Sequence, residues 1–470
     1  MMKRENCKLN EYRRILRKTP SLMRVSEDAC RRSEACRRSE ACRKIEAQEP
    51  VTPAMYVLWP VLFAFCRWVL EQAGSCGFRR LYFLARDGWL MQKMAEKICS
   101  LEGIRMECRY LYASRYAWRI PENHLIGEKC LERICRGGMD VSFGRLMKRA
   151  GLTEDEGKRI ASQIRAEVSY DAPLSWREIQ AFKEPLSRCR DFMELVSRHS
   201  EEHYEVTLAY LKQEGLLDAV PYAVVDSGWI GTMQESLQGL LSGAGRKEKV
   251  EGYYFGLYSL PEGAKREEYH TFYFGPESEA AKKAHFSNCL FECVFTAPHG
   301  MTSGYEFRRG EVFPKLERAD RMNAVRTRLL EQLLEIWMDA LEAEWDAVLA
   351  AEAKELDACS LLGSFMSRPS EEEAEWFGSF FFSDDVTEET GQFLAASLTG
   401  IQLWAQHLPL RLWFMAGPGR HGLKESGWVE GSIRLYGGKL RGLHRAGAVS
   451  YKYLLYLRMQ RRYCGRRKAA

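Results

Sequence analysis

A chain of 470 residues, 46% hydrophobic and 28% charged, suits one large domain or two to three modest ones and argues against disorder over most of its length. Fifteen cysteines, an odd count, and an N-terminal stretch with no apolar signal segment exclude a disulfide scaffold and point to a reducing cytosol. The net charge of +5 is unevenly spread: residues 1–44 carry 14 Lys and Arg against 6 Asp and Glu, residues 439–470 carry 10 and none, and the body between is left at −13, which excludes a dedicated DNA-binding core.

The basic ends read first as solvated tails, with an acidic membrane surface or RNA as what they could touch, although nucleic acid is not the partner expected of the chain. Within residues 26–44 a Ser-Glu-Ala-Cys-Arg-Arg hexad places Cys30, Cys36 and Cys42 six apart. Six residues turn a helix by about 600°, so these thiols fall on different faces, and residues 1–49 read as a basic low-complexity segment without chemistry. Pro50 and Pro53 open the apolar run 54–70, AMYVLWPVLFAFCRWVL, which is at the short limit for a membrane span and is expected to be a helix buried beside a sheet.

Residues 81–85 have the continuous apolarity of a strand buried on both faces, Arg86-Asp87-Gly88 forms a turn, and 89–98 has helical periodicity. A second strand, 107–115, is expected to end at Ser114 and Arg115. Residues 137–215 read as a helical insertion, in which Gly151 joins two short helices and Thr153 caps the second. His199 and His203 match HxxEH, but their strongly polar surroundings favour an exposed helix face over zinc. The next unit is a strand over 222–226, a loop over 227–231 and a helix over 232–241. Strands follow at 252–260 and 270–275, a helix at 321–357, and a basic amphipathic segment near the C-terminus. This alternation predicts an α/β fold: a three-layer Rossmann-like domain over 50–315 with a mainly parallel sheet, a helical region over 316–438, and a basic tail over 439–470.

In open α/β sheets ligands sit beyond the carboxyl ends of the strands. The residues expected there are Arg86, Asp87 and Gly88, then Ser114 and Arg115, then Asp226 through Gly231 with Thr232. Gly228 and Gly231 allow close backbone approach, and the helix opening at Thr232 offers free N–H groups, a geometry suited to phosphate. Ser227 belongs to the same loop. Arg86 and Arg115 can add bidentate contacts. Asp87 and Asp226 can hold Mg²⁺, bind a sugar hydroxyl or act as a base. The structural alternative is that Asp226 caps the next helix and the glycines serve only the turn. Glu292, among apolar residues, and His299, in a Pro-His-Gly turn, are further candidates. Cys289 and Cys293, with His285 nearby, read as buried structural thiols.

Taken in order, LYFLARDGWLMQK, YLYASR, VVDSGWIGTMQESL, GYYFGL and FECVFTAPHGMTSGY resemble the C-terminal region of predicted haloacid dehalogenase (HAD) superfamily hydrolases encoded near surface-polysaccharide genes. The resemblance covers roughly residues 50–315 and carries Arg86, Asp87, Gly88, Ser114, Arg115, Asp226, Gly228, Gly231, Thr232, Gln234 and Glu292 as its motif positions. The phosphatase domain of that family has an Asp nucleophile in a DxD motif. This chain has no DxD, and Asp384-Asp385 does not follow the pattern, so phosphatase activity is not expected. The resemblance implies a bacterial cytoplasmic protein of surface-glycan assembly that binds a phosphorylated or nucleotide-linked sugar, as a transferase or hydrolase. The alternatives are a non-catalytic docking module of glycan-assembly enzymes and a peripheral membrane protein held by the basic tail.

Overall fold

The computed structural model describes residues 2–38, 50–138, 141–348, 350–382, 391–408, 410–411 and 425–469. Cys42 and the Asp384-Asp385 pair lie outside them.

Five parallel strands, β1 (Arg80–Leu84), β2 (Glu107–Leu111), β3 (Tyr222–Trp229), β4 (Glu251–Leu257) and β5 (Tyr269–Phe274), form one sheet in the order β2-β1-β3-β4-β5. Every residue of β1 is buried, because alternate side chains feed two cores. Leu81 and Phe83 join Ala223, Val225, Tyr253 and Phe255 on one face. Tyr82 and Leu84 join Tyr222 and Val224 on the other. The first face is covered by the helix Val51–Ser75 (α3) and by Gly88–Glu102 (α4). The second is covered by Arg115–Ile126 (α5), Arg190–Gln213 (α9) and Thr232–Gly243 (α10). The result is a doubly wound, Rossmann-like three-layer α/β fold. Its strand order reverses between β1 and β3, so the crevice where ligands bind in such sheets opens at the carboxyl ends of those two strands.

Helix α3 is long and apolar enough to cross a membrane, yet 89% of its apolar window is buried inside the molecule, with Phe65 edge-on to Phe255 of the sheet. Between β2 and β3 the chain is helical: Cys130–Ile134 (α6), Phe143–Arg149 (α7) and Glu154–Gln163 (α8) precede α9 and enclose a small core of their own, from Cys130 to Val196. Thr153 caps α8 in a capping box with Glu156, and Gly151 makes the turn before it at φ +86°.

The reading of the N-terminal segment as a solvated tail is corrected. Met2–Leu16 (α1) and Pro20–Arg38 (α2) are helices. Tyr12, Leu16, Leu22, Val25 and Ala29 are fully buried against the helix Arg321–Ala343 (α12) and its neighbours, because three-to-four-residue spacing aligns them in one stripe among the arginines. Strand β2 stops at Leu111, short of Ser114 and Arg115, because Ser114 leaves the sheet to cap α5. Strand β3 runs past Asp226 to Trp229, since Gly228 faces Gly256 and no side chain interrupts the ladder. The helix expected over 321–357 ends at Ala343, where Trp345 turns in to pack edge-on against Phe63 of α3. The unforeseen elements are a hairpin, β6 (Thr302–Arg308) with β7 (Glu311–Leu316), and the short helix Asn288–Val294 (α11). The basic tail is a helix over Arg441–Ala469 (α13).

Candidate functional site

Two adjoining cavities open at the carboxyl ends of β1, β2 and β3. The smaller, about 420 Å³, is lined by Arg86, Asp87, Ser114, Arg115, Asp226, Ser227, Gly228, Thr232 and Glu292 among others. The larger, about 790 Å³, lies under the β6–β7 hairpin and the start of α12 and is lined by His299 and Lys315. Arg86, Tyr116, Glu292 and Met301 border both.

Asp87 follows β1, Asp226 sits inside β3, and Glu292 comes from α11. All three carboxylates are half-buried. Ser227 donates its hydroxyl proton to Asp87, and Trp229 donates its indole N–H to Glu292. Asp226 accepts from the backbone N–H groups of Ser227 and Gly228, and the helix α10 has no side-chain cap, so Asp226 is not a helix cap. Burial, then the charge of Asp226, raises Asp87 to about 7. Burial raises Asp226 to about 7 as well, with Glu292 adding to it. Burial and Asp87 do the same for Glu292. Arg115 opposes the rise in all three, and Arg86 in Asp87 and Glu292. Three carboxyl groups with such values hold protons near neutral pH, the condition under which one donates while another accepts.

The backbone is strained where these groups are aimed. Arg86 and Trp229, at the ends of β1 and β3, both take left-handed conformations, at φ 70° and 73°. Each costs roughly 1–2 kcal/mol for a residue with a Cβ, and such strain gathers at functional sites. The N–H of Arg86 donates to Tyr110 Oη (2.8 Å), and that hydroxyl pairs with His299 Nε2 (2.8 Å). His299 Nδ1 donates to the Gly300 carbonyl (2.8 Å), which leaves Nε2 to accept the tyrosine proton and assigns the neutral tautomer. Burial lowers the basicity of His299 in the same sense.

The other expected residues divide. Ser114 caps α5 through Ala117 N (2.9 Å) and donates to the Thr302 carbonyl (2.6 Å), tying the hairpin to the cavity rim. Thr232 Oγ1 accepts from Arg119 (3.1 Å). Gly228 has φ +110°, and a Cβ there would lie 2.5 Å from the Gly256 carbonyl oxygen. Three of the expected residues line neither cavity. Gly88 presses against Phe83, whose backbone carbonyl carbon a Cβ would meet at 2.7 Å. Gly231 (φ +75°) makes the tight turn into α10 beside Tyr269. Gln234 is buried and spends its amide on the Val250 carbonyl (2.7 Å), the Glu268 carbonyl (3.1 Å) and the Tyr254 hydroxyl (2.7 Å).

Sequence reasoning missed four arginines of the smaller cavity: Arg119 of α5, Arg133 of α6, Arg136 in the loop that follows, and Arg149 of α7. Arg119 carried a usable signal, since four residues after Arg115 it shares that residue's helix face. The others reach the cavity through the folding of the insertion, which no local pattern announces. The N-terminal ends of α5 and α10 meet the same space, adding their partial positive charge to the arginine wall.

Among the described residues no three His, Cys, Asp or Glu side chains converge to hold a metal ion, and the carboxylates near Asp87 are hydrogen-bonded to protein instead, so no step is derived through Mg²⁺. His199 is engaged with Glu156 (2.9 Å) across α8 and α9, which accounts for half of the HxxEH pattern. Cys293 is buried in the core and Cys289 packs half-buried against it, and His285 pairs with Ser367 (2.9 Å). No family model and no curated protein matches the chain.

Proposed function

We propose that the chain is an enzyme that acts on a phosphorylated or nucleotide-linked sugar at the carboxyl ends of β1, β2 and β3, as a transferase or hydrolase. The observation that carries this reading is the meeting, within one cavity, of an arginine wall with a floor of three carboxyl groups that are part protonated and part ionised near neutral pH. The wall suits the phosphate and the floor suits the sugar hydroxyls. In the transfer step the bond from the anomeric carbon to the phosphate oxygen breaks, and its electron pair stays on that oxygen beside the arginines. An incoming hydroxyl forms the new C–O bond and gives its proton to an ionised carboxylate. The larger cavity reaches the same Glu292 and has room for the incoming reactant, an acceptor hydroxyl or water.

A second reading, a non-catalytic ligand-binding or docking module, is favoured by the engagement of Asp87 and Glu292 with Ser227 and Trp229. The resemblance to HAD-associated glycan proteins supports a cytoplasmic role in surface-polysaccharide assembly beside other glycan enzymes. The acid-free basic end supports contact with an anionic membrane face, which co-flotation with anionic vesicles checks.

The deciding experiment measures thermal stability with sugar phosphates and nucleotide-sugars, then product release from any that bind. A ligand at about 100 times its Kd adds roughly 2.7 kcal/mol. The enzyme reading expects Arg115→Ala to abolish the shift, and Asp226→Asn to keep the shift while losing turnover. A shift without turnover leaves the binding module. No shift with any of these ligands overturns the enzyme and ligand-binding readings and leaves the docking module.

A further inference from the structure

The six arginines lining the smaller cavity do not all answer to its carboxylates. Arg86 and Arg115 lie within the field of Asp87 and Glu292. Arg133 is paired with Glu122 and approaches Glu235 at 3.5 Å. Arg119 has Arg115, Arg133 and Arg136 for neighbours, with Glu122 opposing them, and burial and these cations push it down to about 9. One of its Nη groups donates to Thr232, while its Nε, shielded from solvent, meets no hydrogen-bond acceptor among the described residues. Arg149 donates to the carbonyls of Ile134 and Arg136 and so holds the loop that carries Arg136, Gly137 and Gly138 over the cavity. A half-buried guanidinium with a shielded donor unused, crowded by like charges, is costly unless an anion completes it. The chain's acidic body makes this local excess of cations more specific still.

We infer that the cavity takes a diphosphate, with one phosphoryl group at the strand ends between Arg86, Arg115 and the start of α10, and the other beneath the insertion at Arg119 and Arg136. The inference rests on the phosphate reading above and narrows it. A monophosphate would fill the first position and leave the Arg119 end unanswered. A diphosphate spans from the carboxylate floor to the insertion, which places a linked sugar over Asp87, Asp226 and Glu292. The insertion is thereby the part of the fold that selects the ligand's second phosphoryl group.

Titration calorimetry of the full chain with inorganic phosphate and with pyrophosphate tests this. Pyrophosphate is expected to bind at least about tenfold tighter. Arg119→Gln should bring pyrophosphate down close to the affinity of phosphate and weaken phosphate itself far less. Arg136→Ala, on an exposed loop residue, should reduce pyrophosphate binding in the same selective way with the fold undisturbed. Arg115→Ala should weaken both anions. Equal affinity for the two anions, or variants at Arg119 and Arg136 that affect both alike, would overturn the diphosphate and leave the single phosphate site standing. Failure of both anions to bind would remove the phosphate reading itself.

Discussion

Asp226 is a strand residue whose side chain turns into a cavity, and its chemistry follows from the water it has lost. Its folded-state value lies above that of an ordinary aspartate, so between about pH 4 and pH 7 the native state holds protons that the unfolded chain releases. The stability linked to this group is therefore present below about pH 4 and is lost as pH rises through about 7. Asp226→Asn stays neutral throughout and can still accept from the Ser227 and Gly228 N–H groups. It should raise the melting temperature at pH 8 by about 2 °C or more and change it far less at pH 4. Equal shifts at both values would mean the carboxyl is not held against its charge. The sequence made Asp226 visible because an acid closing an apolar strand is a local pattern. It could not show that Gln234, eight residues on, spends every polar atom on backbone and tyrosine partners, since those partners come from β4 and the segments flanking it.

At the scale of elements, the site depends on how closely β3 and β4 run. Gly228 pairs with Gly256, and the left-handed backbone at Gly228 would put a Cβ 2.5 Å from the carbonyl oxygen of its partner. Gly228→Ala therefore pays twice, in backbone strain and in a steric clash with main chain that cannot swing away. Gly245 shares the positive φ (+88°) but faces open space, so Gly245→Ala isolates the strain alone at about 1 kcal/mol. Urea midpoints should fall clearly further for Gly228→Ala than for Gly245→Ala. Matching losses would show that the strands part easily at this point. The strand–loop–helix units around β1 and β3 were legible because apolar runs, glycines and helical periodicity are all local. The β6–β7 hairpin was not, since Thr302–Leu316 carries alternating polar residues and an Arg-Gly turn that reads as loop until Tyr305 and Val312 are seen to pack against the second face of the sheet.

For the molecule as a whole, the N-terminal helices tie residues 352–373 and the first face of the sheet to one core. Tyr12 is fully buried and donates to Glu373 Oε1 (2.6 Å). Lys8 reaches the Ser364 hydroxyl and carbonyl (2.6 and 2.8 Å). Glu352 accepts the N–H groups of Ser21 and Leu22 (3.1 and 3.3 Å), so a carboxylate some 330 residues away caps the start of α2. Arg14, Arg17, Arg24, Arg31 and Arg32, which help give residues 1–44 the look of a solvated tail, are exposed on these helices, while the apolar positions between them pack into the core with α12. Composition reports the charge, and only the spacing reports the burial. Tyr12→Phe keeps the ring in the core but leaves Oε1 of the buried Glu373 carboxyl without its hydroxyl donor, while Oε2 keeps the Ser370 N–H, at a cost of about 1–3 kcal/mol. Tyr12→Ala empties the site as well and should cost about 3–5 kcal/mol. Because the same apolar core runs from α1 and α2 through α3 to the first face of the sheet, the loss should lower one shared transition, seen together by far-ultraviolet circular dichroism and tryptophan fluorescence. If Tyr12→Ala moved neither signal, the N-terminal helices would be an appendage to the fold. If it moved the fluorescence transition alone, the sheet would unfold independently of them.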